Sequence, residues 1–503
     1  MRILDNLAGR NAKVDVDVLL VNPGSLKAVY QGLSNEFSAV EMPILPALFA
    51  SYLRKQNLTV DILDAPAFNL SPEQVAEVID ENFSPKLVVL VVYGFQPSAS
   101  TQNMPAASAT CRALKNRNSD IKIMMTGTHP AALPRRTMEE EDIDFVCDRE
   151  GPETICATVQ YIKSSGGSLL DVPSLWYWQE GCIRNNAPGD LLSDLDEAMP
   201  EAAFDLLPMD KYRAHNWHCF EHIHDRQPYA SLYTSLGCPY KCSFCCINAP
   251  FGKSSYRMWS PDWTIRQIDT LVNEYGVKNI KFVDEMFVLN KSHVIDICDH
   301  IIERGYDLNI WAYARVDTIR DGFLEKLAKA GVRWLALGIE SGSKHVRDGV
   351  EKGRFGATDV VNVVRDIQAA DINVIGNYIF GLPDDTLESM QDTLDLAIEA
   401  NCEFANFYAA MAYPGSKLYS MAIENEWELP DSWIGYSQHS YECRPLPTQA
   451  LTAVEVLKFR DEAFDKYFTN KRYLDLVEKK FGQDVLDHIS RMMEIKLPRR
   501  LYS

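Results

Sequence analysis

The sequence predicts an α/β protein in three parts: a doubly wound parallel sheet over residues 15–164, a partial (βα)6 barrel over residues 227–420, and a mainly helical C-terminal region over residues 421–503. Three observations carry this prediction. Two separate series of apolar runs alternate with amphipathic segments, 503 residues exceed what one hydrophobic core usually supports, and four of the twelve cysteines crowd between Cys238 and Cys246. An N-terminal tail (1–14) and a linker (165–226) complete the division.

In the first series the strand candidates are VDVLLVN (16–22), LTVDILD (58–64), KLVVLVVYG (86–94), IKIMMTG (121–127) and IDFVC (143–147). Helical patterns lie between them at 43–56, 71–83 and 107–117. Strands apolar throughout and separated by helices imply a parallel sheet covered on both faces, with a ligand crevice at the C-terminal ends of the strands. The linker then loosens into SSGGS and a short hairpin around Gly181. The second series comprises YASLYTSL (229–236), NIKFVD (279–284), NIWAYAR (309–315), WLALGI (334–339), NVIGNYIF (373–380) and FANFYAAM (404–411), most followed by a helical pattern. Six such units predict part of a parallel barrel whose chemistry sits at the C-terminal strand ends.

The composition, 46% hydrophobic and 24% charged, is that of an ordinary globular chain. A net charge of −20 argues against nucleic acid as a partner, because phosphate binding needs a basic surface. Charges interrupt any N-terminal apolar stretch and no window approaches the ~18 apolar residues of a membrane span, so the expected location is cytoplasmic. In a reducing compartment a cysteine cluster means metal rather than cross-links.

The loop TSLGCPYKCSFCCINAP spaces Cys238, Cys242 and Cys245 by four and three residues, a spacing that lets three thiolates hold three irons of a cuboidal 4Fe-4S cluster and leave the fourth open. Cys246, adjacent to the third ligand, is expected to face away. The alternative is structural zinc, which usually pairs cysteines in two knuckles; no second knuckle is visible.

This CxxxCxxC loop after the first strand of a six-unit barrel resembles the radical S-adenosylmethionine (SAM) superfamily, with Phe244 before the last ligand matching its usual aromatic. By that resemblance Asp284 and Glu285 in FVDEMF take the place that contacts the SAM amino group. Arg315 ends the third strand, Glu340 and Ser341 in GIESG hold the SAM amino acid or ribose, and Gly376 in GNYIFG lies beside the adenine. Taken singly, the charged residues are also explained as solvated strand-end charges and the glycines as backbone bends. Their order at successive strand ends is what makes the resemblance specific. Tyr313, Tyr378 and Tyr408 are candidates to line a substrate pocket, packing being the commoner use of buried aromatics.

The preceding doubly wound domain resembles the cobalamin-binding domain of cobalamin-dependent radical SAM enzymes, through VNPG (21–24), ILDA (62–65), GTHP (127–130) and REGPET (149–154). The loop NPGSLKAVYQG lacks the histidine that ligates cobalt in methionine-synthase-type domains. His129 is the substitute candidate, although a polar helix start or a contact to the corrin's nucleotide tail is the commoner role. Gly94 and Gly127 are candidates for close backbone approach to the cofactor, or ordinary turn glycines.

What the resemblance implies is a cobalamin-dependent radical SAM methyltransferase acting on an unactivated carbon through methylcobalamin and a 5'-deoxyadenosyl radical. Its cofactors would be a 4Fe-4S cluster, SAM and cobalamin, with a flavodoxin or ferredoxin as external electron donor and a small-molecule or natural-product-like substrate. Cyclisation, ring rearrangement or oxidation on the same architecture is the nearest alternative, and a non-catalytic cobalamin or iron-sulfur sensor a more distant one.

Overall fold

The computed structural model describes residues 13–502 except 25, 35, 95–98, 165–166, 320–321 and 354. All but the last two residues of the N-terminal tail (1–14) therefore lie outside it.

The first sheet has seven strands in the order β2-β1-β3-β4-β5-β6-β7. β1 (Val14–Asn22), β2 (Val60–Asp64), β3 (Phe83–Val92), β4 (Ile123–Gly127) and β5 (Phe145–Cys147) run parallel. Their apolar runs are buried on both faces, by Ile44–Lys55 and Pro152–Lys163 on one side and Pro72–Asn82 and Ala99–Arg117 on the other. The last of these helices starts eight residues before the sequence pattern suggests and carries Pro105 inside it. The strand order reverses between β1 and β3, so the crevice of a doubly wound sheet opens there. The hairpin around Gly181 forms β6 (Leu175–Gln179) and β7 (Cys182–Asn185), and β6 pairs antiparallel with β5. Part of the segment read as a linker thus widens the first sheet.

The second sheet contains β8 (Tyr229–Leu232), β11 (Asn279–Phe282), β12 (Asn309–Arg315), β13 (Val332–Glu340), β14 (Asn373–Phe380) and β15 (Phe404–Ala409), all parallel and in chain order. This is the expected open barrel of six strand-helix units. Its helices carry ordinary stop signals. In Pro261–Tyr275 the Ser260 hydroxyl accepts from Trp263 N at 3.0 Å, Pro261 opens the first turn, and Gly276 at φ +66° closes the last. A cap of that kind stabilises a helix by about 1 kcal/mol.

The predicted strand 229–236 is broken. After Leu232 the backbone N–H of Thr234 turns to the Asp284 carboxylate at 3.0 Å, so the parallel ladder stops. A short strand, β9 (Ser235–Leu236), then pairs antiparallel with β10 (Arg257–Met258), and the cysteine loop is the excursion between them. The C-terminal region packs helices Ala453–Phe468, Lys471–Phe481 and Gln483–Glu494 against the barrel, after an irregular stretch that includes the 3-10 turn Trp433–Tyr436. Among the described residues no helix is long and apolar enough to cross a membrane.

Candidate functional site

The C-terminal edges of the two sheets face each other. Between them lies an apolar cavity of about 40 Å³, lined from the first domain by Leu45, Phe49, Tyr93 and Glu150 and from the barrel by Tyr233, Gly237 and Glu285. Glu150 is answered by Arg257, itself on β10, and its second oxygen accepts from Leu192 N at 2.8 Å. Strand ends of one domain, the linker and the cysteine loop are thereby tied at one point.

The cysteine loop has the donor set that a cluster requires. Cys238, Cys242 and Cys245 are all partly exposed, and Cys245 N donates to Cys242 O at 3.0 Å, turning the loop between the last two. Cys242 and Cys245 line a cavity of about 270 Å³ with Tyr240, Asn248, Ser254, Glu351 and Lys417. Cys246 is buried with its Cβ 3.6 Å from the position a Gly415 Cβ would take, and does not line this cavity, as expected. Among the described residues no three His, Cys, Asp or Glu, the loop cysteines included, converge as the ligands of a single metal ion do. Burial pushes the Cys238 thiol up to about 11. Arg315 supplies a compensating positive charge, with Nη1 3.8 Å from Cys242 Sγ.

Asp284 and Glu285, paired in the sequence expectation, part company in the structure. Asp284 is fully buried and accepts from Thr234 N, from Thr234 Oγ1 at 2.7 Å and from Ser235 Oγ at 2.5 Å. These bonds hold the strand end from which the cysteine loop departs. Glu285 has no ion-pair partner among the described residues and lines the interdomain cavity; burial, with the Asp284 charge adding to it, pushes its carboxyl up to about 8.

The other expected SAM contacts also divide. Arg315 stacks on Tyr240 at 3.9 Å and pairs with Asp317 at 2.9 Å, clamping the cysteine loop to the loop after β12. Glu340, at φ +66° on a bulge of β13, pairs with Lys352 at 2.6 Å. Ser341 is fully buried, with its hydroxyl 3.2 Å from Thr393 Oγ1. Phe244 packs against Leu418, Val350 and Leu382. At Gly376 a Cβ would lie 2.7 Å from the Tyr378 ring, which stacks on Phe407 beneath the C-terminal helices. This side of β14, with Tyr378, faces the outer helical layer, because side chains alternate along the strand.

In the first domain His129 is buried, 3.2 Å from Thr101 Oγ1 and edge-on to Trp433 at 4.4 Å. Burial lowers its pKa to about 3, so the ring is neutral and enclosed. Gly94 (φ +138°) and Gly127 (φ +150°) end β3 and β4, where a Cβ would strike Ala99 Cβ and Val92 O respectively. Their identity is dictated by the protein's own packing. The described rim presents bare backbone and apolar side chains, with Glu150 paired to Arg257.

Sequence reasoning missed the Glu150–Arg257 tie and Trp433, which join segments far apart in the chain. No local spacing signals either.

Comparison with known proteins agrees with this geometry. Residues 232–397 match the family model of the Radical SAM superfamily and residues 36–159 that of the B12 binding domain. The chain is 32% identical over 396 residues to the uncharacterized methyltransferase PH0819 of Pyrococcus horikoshii, covering 78% of this chain and 81% of that protein. It is 25% identical to the anaerobic magnesium-protoporphyrin IX monomethyl ester cyclase of Cereibacter sphaeroides, over 85% of this chain and 67% of the relative. In fold it is similar to the cobalamin-dependent SAM radical enzyme OxsB (TM-score 0.69, 17% identity, 96% of this chain and 71% of that one). It is also similar to the radical SAM methyltransferase TsrM of Kitasatospora setae (TM-score 0.62, 18% identity, 82% and 75%). With both domains matched in order and a relative aligned across most of both lengths, the chain belongs to the cobalamin-dependent radical S-adenosylmethionine family.

Proposed function

We propose that this chain methylates an unactivated carbon of a small-molecule substrate, holding a 4Fe-4S cluster through Cys238, Cys242 and Cys245, SAM beside Glu285, and cobalamin in the crevice of the first sheet. When bound, the cluster and SAM supply a radical that abstracts hydrogen, and cobalamin supplies the methyl group. The observation that carries the reading is the shared cavity: the strand ends of both domains open on one apolar space lined by Tyr93 and Glu285. The relatives named as methyltransferases support it.

The protein's own residues position and exclude. Asp284 holds the strand end that launches the cysteine loop, and Arg315 clamps the loop's second ligand. Glu285, without a cation of its own, is the acceptor for the SAM ammonium, which would lower its carboxyl pKa and leave it ionised. Leu45, Phe49, Leu236 and Phe251 wall the space against water. An external one-electron donor, a flavodoxin or ferredoxin, approaches the open side of the loop, where Lys241 and Lys417 flank Cys242.

Anaerobic turnover of the reconstituted holoenzyme with reductant and SAM tests the proposal. Methyl transfer yields both S-adenosylhomocysteine and 5'-deoxyadenosine; deoxyadenosine with an altered substrate and no homocysteine product would replace it with ring formation or oxidation, the chemistry named for the cyclase relative.

A further inference from the structure

The barrel has a packed outer wall and a partly exposed inner face. Along β12, β14 and β15 the inward-facing Tyr313, Asn377, Ile379, Asn406 and Tyr408 are half-buried, whereas their outward neighbours Ala314, Tyr378, Phe380, Phe407 and Ala409 are buried. Side chains ordinarily fill a small barrel. Here the floor is filled, by Trp217 against Trp311 at 5.0 Å and Trp334 at 5.7 Å.

Six strands leave an opening between the edge strands β8 and β15, and residues from outside the barrel close it. Glu41, on the first domain's segment after β1, reaches in to pair with Lys281 of β11 at 2.9 Å and to accept from the hydroxyl of Tyr229 on β8. Tyr30, on the same segment, lies within electrostatic reach of both Glu41 and Tyr408 of β15. Its ring stacks on His439 at 5.6 Å, and Gln31 Nε2 donates to His439 O at 2.6 Å.

Among the described residues the charges that face this cleft are answered within the protein. Lys281 pairs with Glu41, Lys352 with Glu340 at 2.6 Å, and Arg315 with Asp317 at 2.9 Å. Burial beside Arg460 and Arg499 keeps His439 neutral. The surfaces left are phenols, an imidazole and two amides, with Asn406 Nδ2 donating to Asn377 Oδ1 at 3.0 Å. A bound carboxylate or phosphate would lose water without gaining an unpaired cation from the described residues, whereas a flat neutral ring would lose little and gain aromatic contact.

We infer that the cleft takes an uncharged planar ring carrying hydrogen-bonding groups, with Tyr30 as the specificity-determining face and Asn377 and Asn406 reading the ring's polar edge. This rests on the proposed function, whose substrate class it names. Tyr30 comes from the domain assigned to cobalamin, so substrate selection and cofactor binding share one chain segment.

The test is ligand-observed NMR of the reconstituted holoenzyme, saturated with S-adenosylhomocysteine, titrated with indole-3-acetamide and, separately, with indole-3-acetate. The amide is expected to bind with a Kd below about 1 mM, and the acid at least about tenfold more weakly. Tyr30→Ala should weaken amide binding about tenfold and Tyr30→Phe hardly at all. Asn406→Leu, which leaves the seam intact, should weaken it about fivefold and serves if Tyr30→Ala does not fold. Equal or tighter binding of the acid, amide binding indifferent to these variants, or no binding of either probe at about 1 mM overturns the inference. SAM cleavage by the same preparation, read separately, tells this failure from failure of the proposed function.

Discussion

The two crevices that meet at the interdomain cavity are built from different materials. Apart from Glu150, which Arg257 answers, the first sheet presents backbone and neutral side chains: Gly94 and Gly127 at strand ends, and a His129 sealed between Thr101 and Trp433. The barrel presents thiols and charges in distinct roles, with three cysteines in one loop, Asp284 and Arg315 holding that loop, and Glu285 left facing the space. A crevice of backbone recognises by shape, and a crevice of charges recognises by chemistry. Single substitutions should therefore be severe on the barrel side and mild on the other.

The largest effect is expected at the cluster ligands. Cys245→Ala should abolish SAM cleavage and lower bound iron, measured by deoxyadenosine yield and iron analysis; retention of both would break the contrast at its root. Next comes the contact joining the two regions. Glu41→Ala strands Lys281 in the barrel and should destabilise the protein by about 3–5 kcal/mol, whereas replacing both partners with apolar residues should cost much less. Thermal or urea unfolding distinguishes these. Glu285→Gln should leave folding intact but weaken SAM binding by about tenfold, the worth of one charge-assisted hydrogen bond; calorimetric titration with SAM reads it.

On the first-domain side, His129→Ala should leave hydroxocobalamin affinity and its visible spectrum unchanged. A shifted spectrum would show that the imidazole reaches cobalt. A pH-dependent effect concerns Asp64, whose carboxyl is pushed up to about 7 by burial, against hydrogen bonds from Asn22 at 2.8 Å and Tyr212 at 3.0 Å. The folded state then binds its proton more tightly than the unfolded chain, so this group's stabilising contribution is present at low pH and is lost as pH rises toward about 7. Asp64→Asn should flatten that decline in a melting series across pH.

Most of the fold was legible because periodicity is local: all eleven predicted strands of the two series appear, and so does the Gly181 hairpin. The break after Leu232 was not, since it depends on Asp284 some fifty residues away. The cysteine loop was legible from spacing alone. The roles of the strand-end residues were not, because a motif gives position along a strand but not which lone pairs are already taken. Asp284 and Glu285 are adjacent and chemically alike, yet one is spent on Thr234 and Ser235 and the other is free of any ion pair among the described residues. At Gly376 the motif gave the position but not that the Cβ side of the strand is taken by the Tyr378 ring.

Electron paramagnetic resonance of the anaerobically reconstituted, reduced holoenzyme, recorded with and without SAM, tests the central claim most directly. A cluster held by three cysteines with one open iron should give a signal whose g values shift when SAM is added, and Glu285→Gln should require more SAM for the same shift. A signal indifferent to SAM, or protein that takes up zinc in place of iron, would contradict the account.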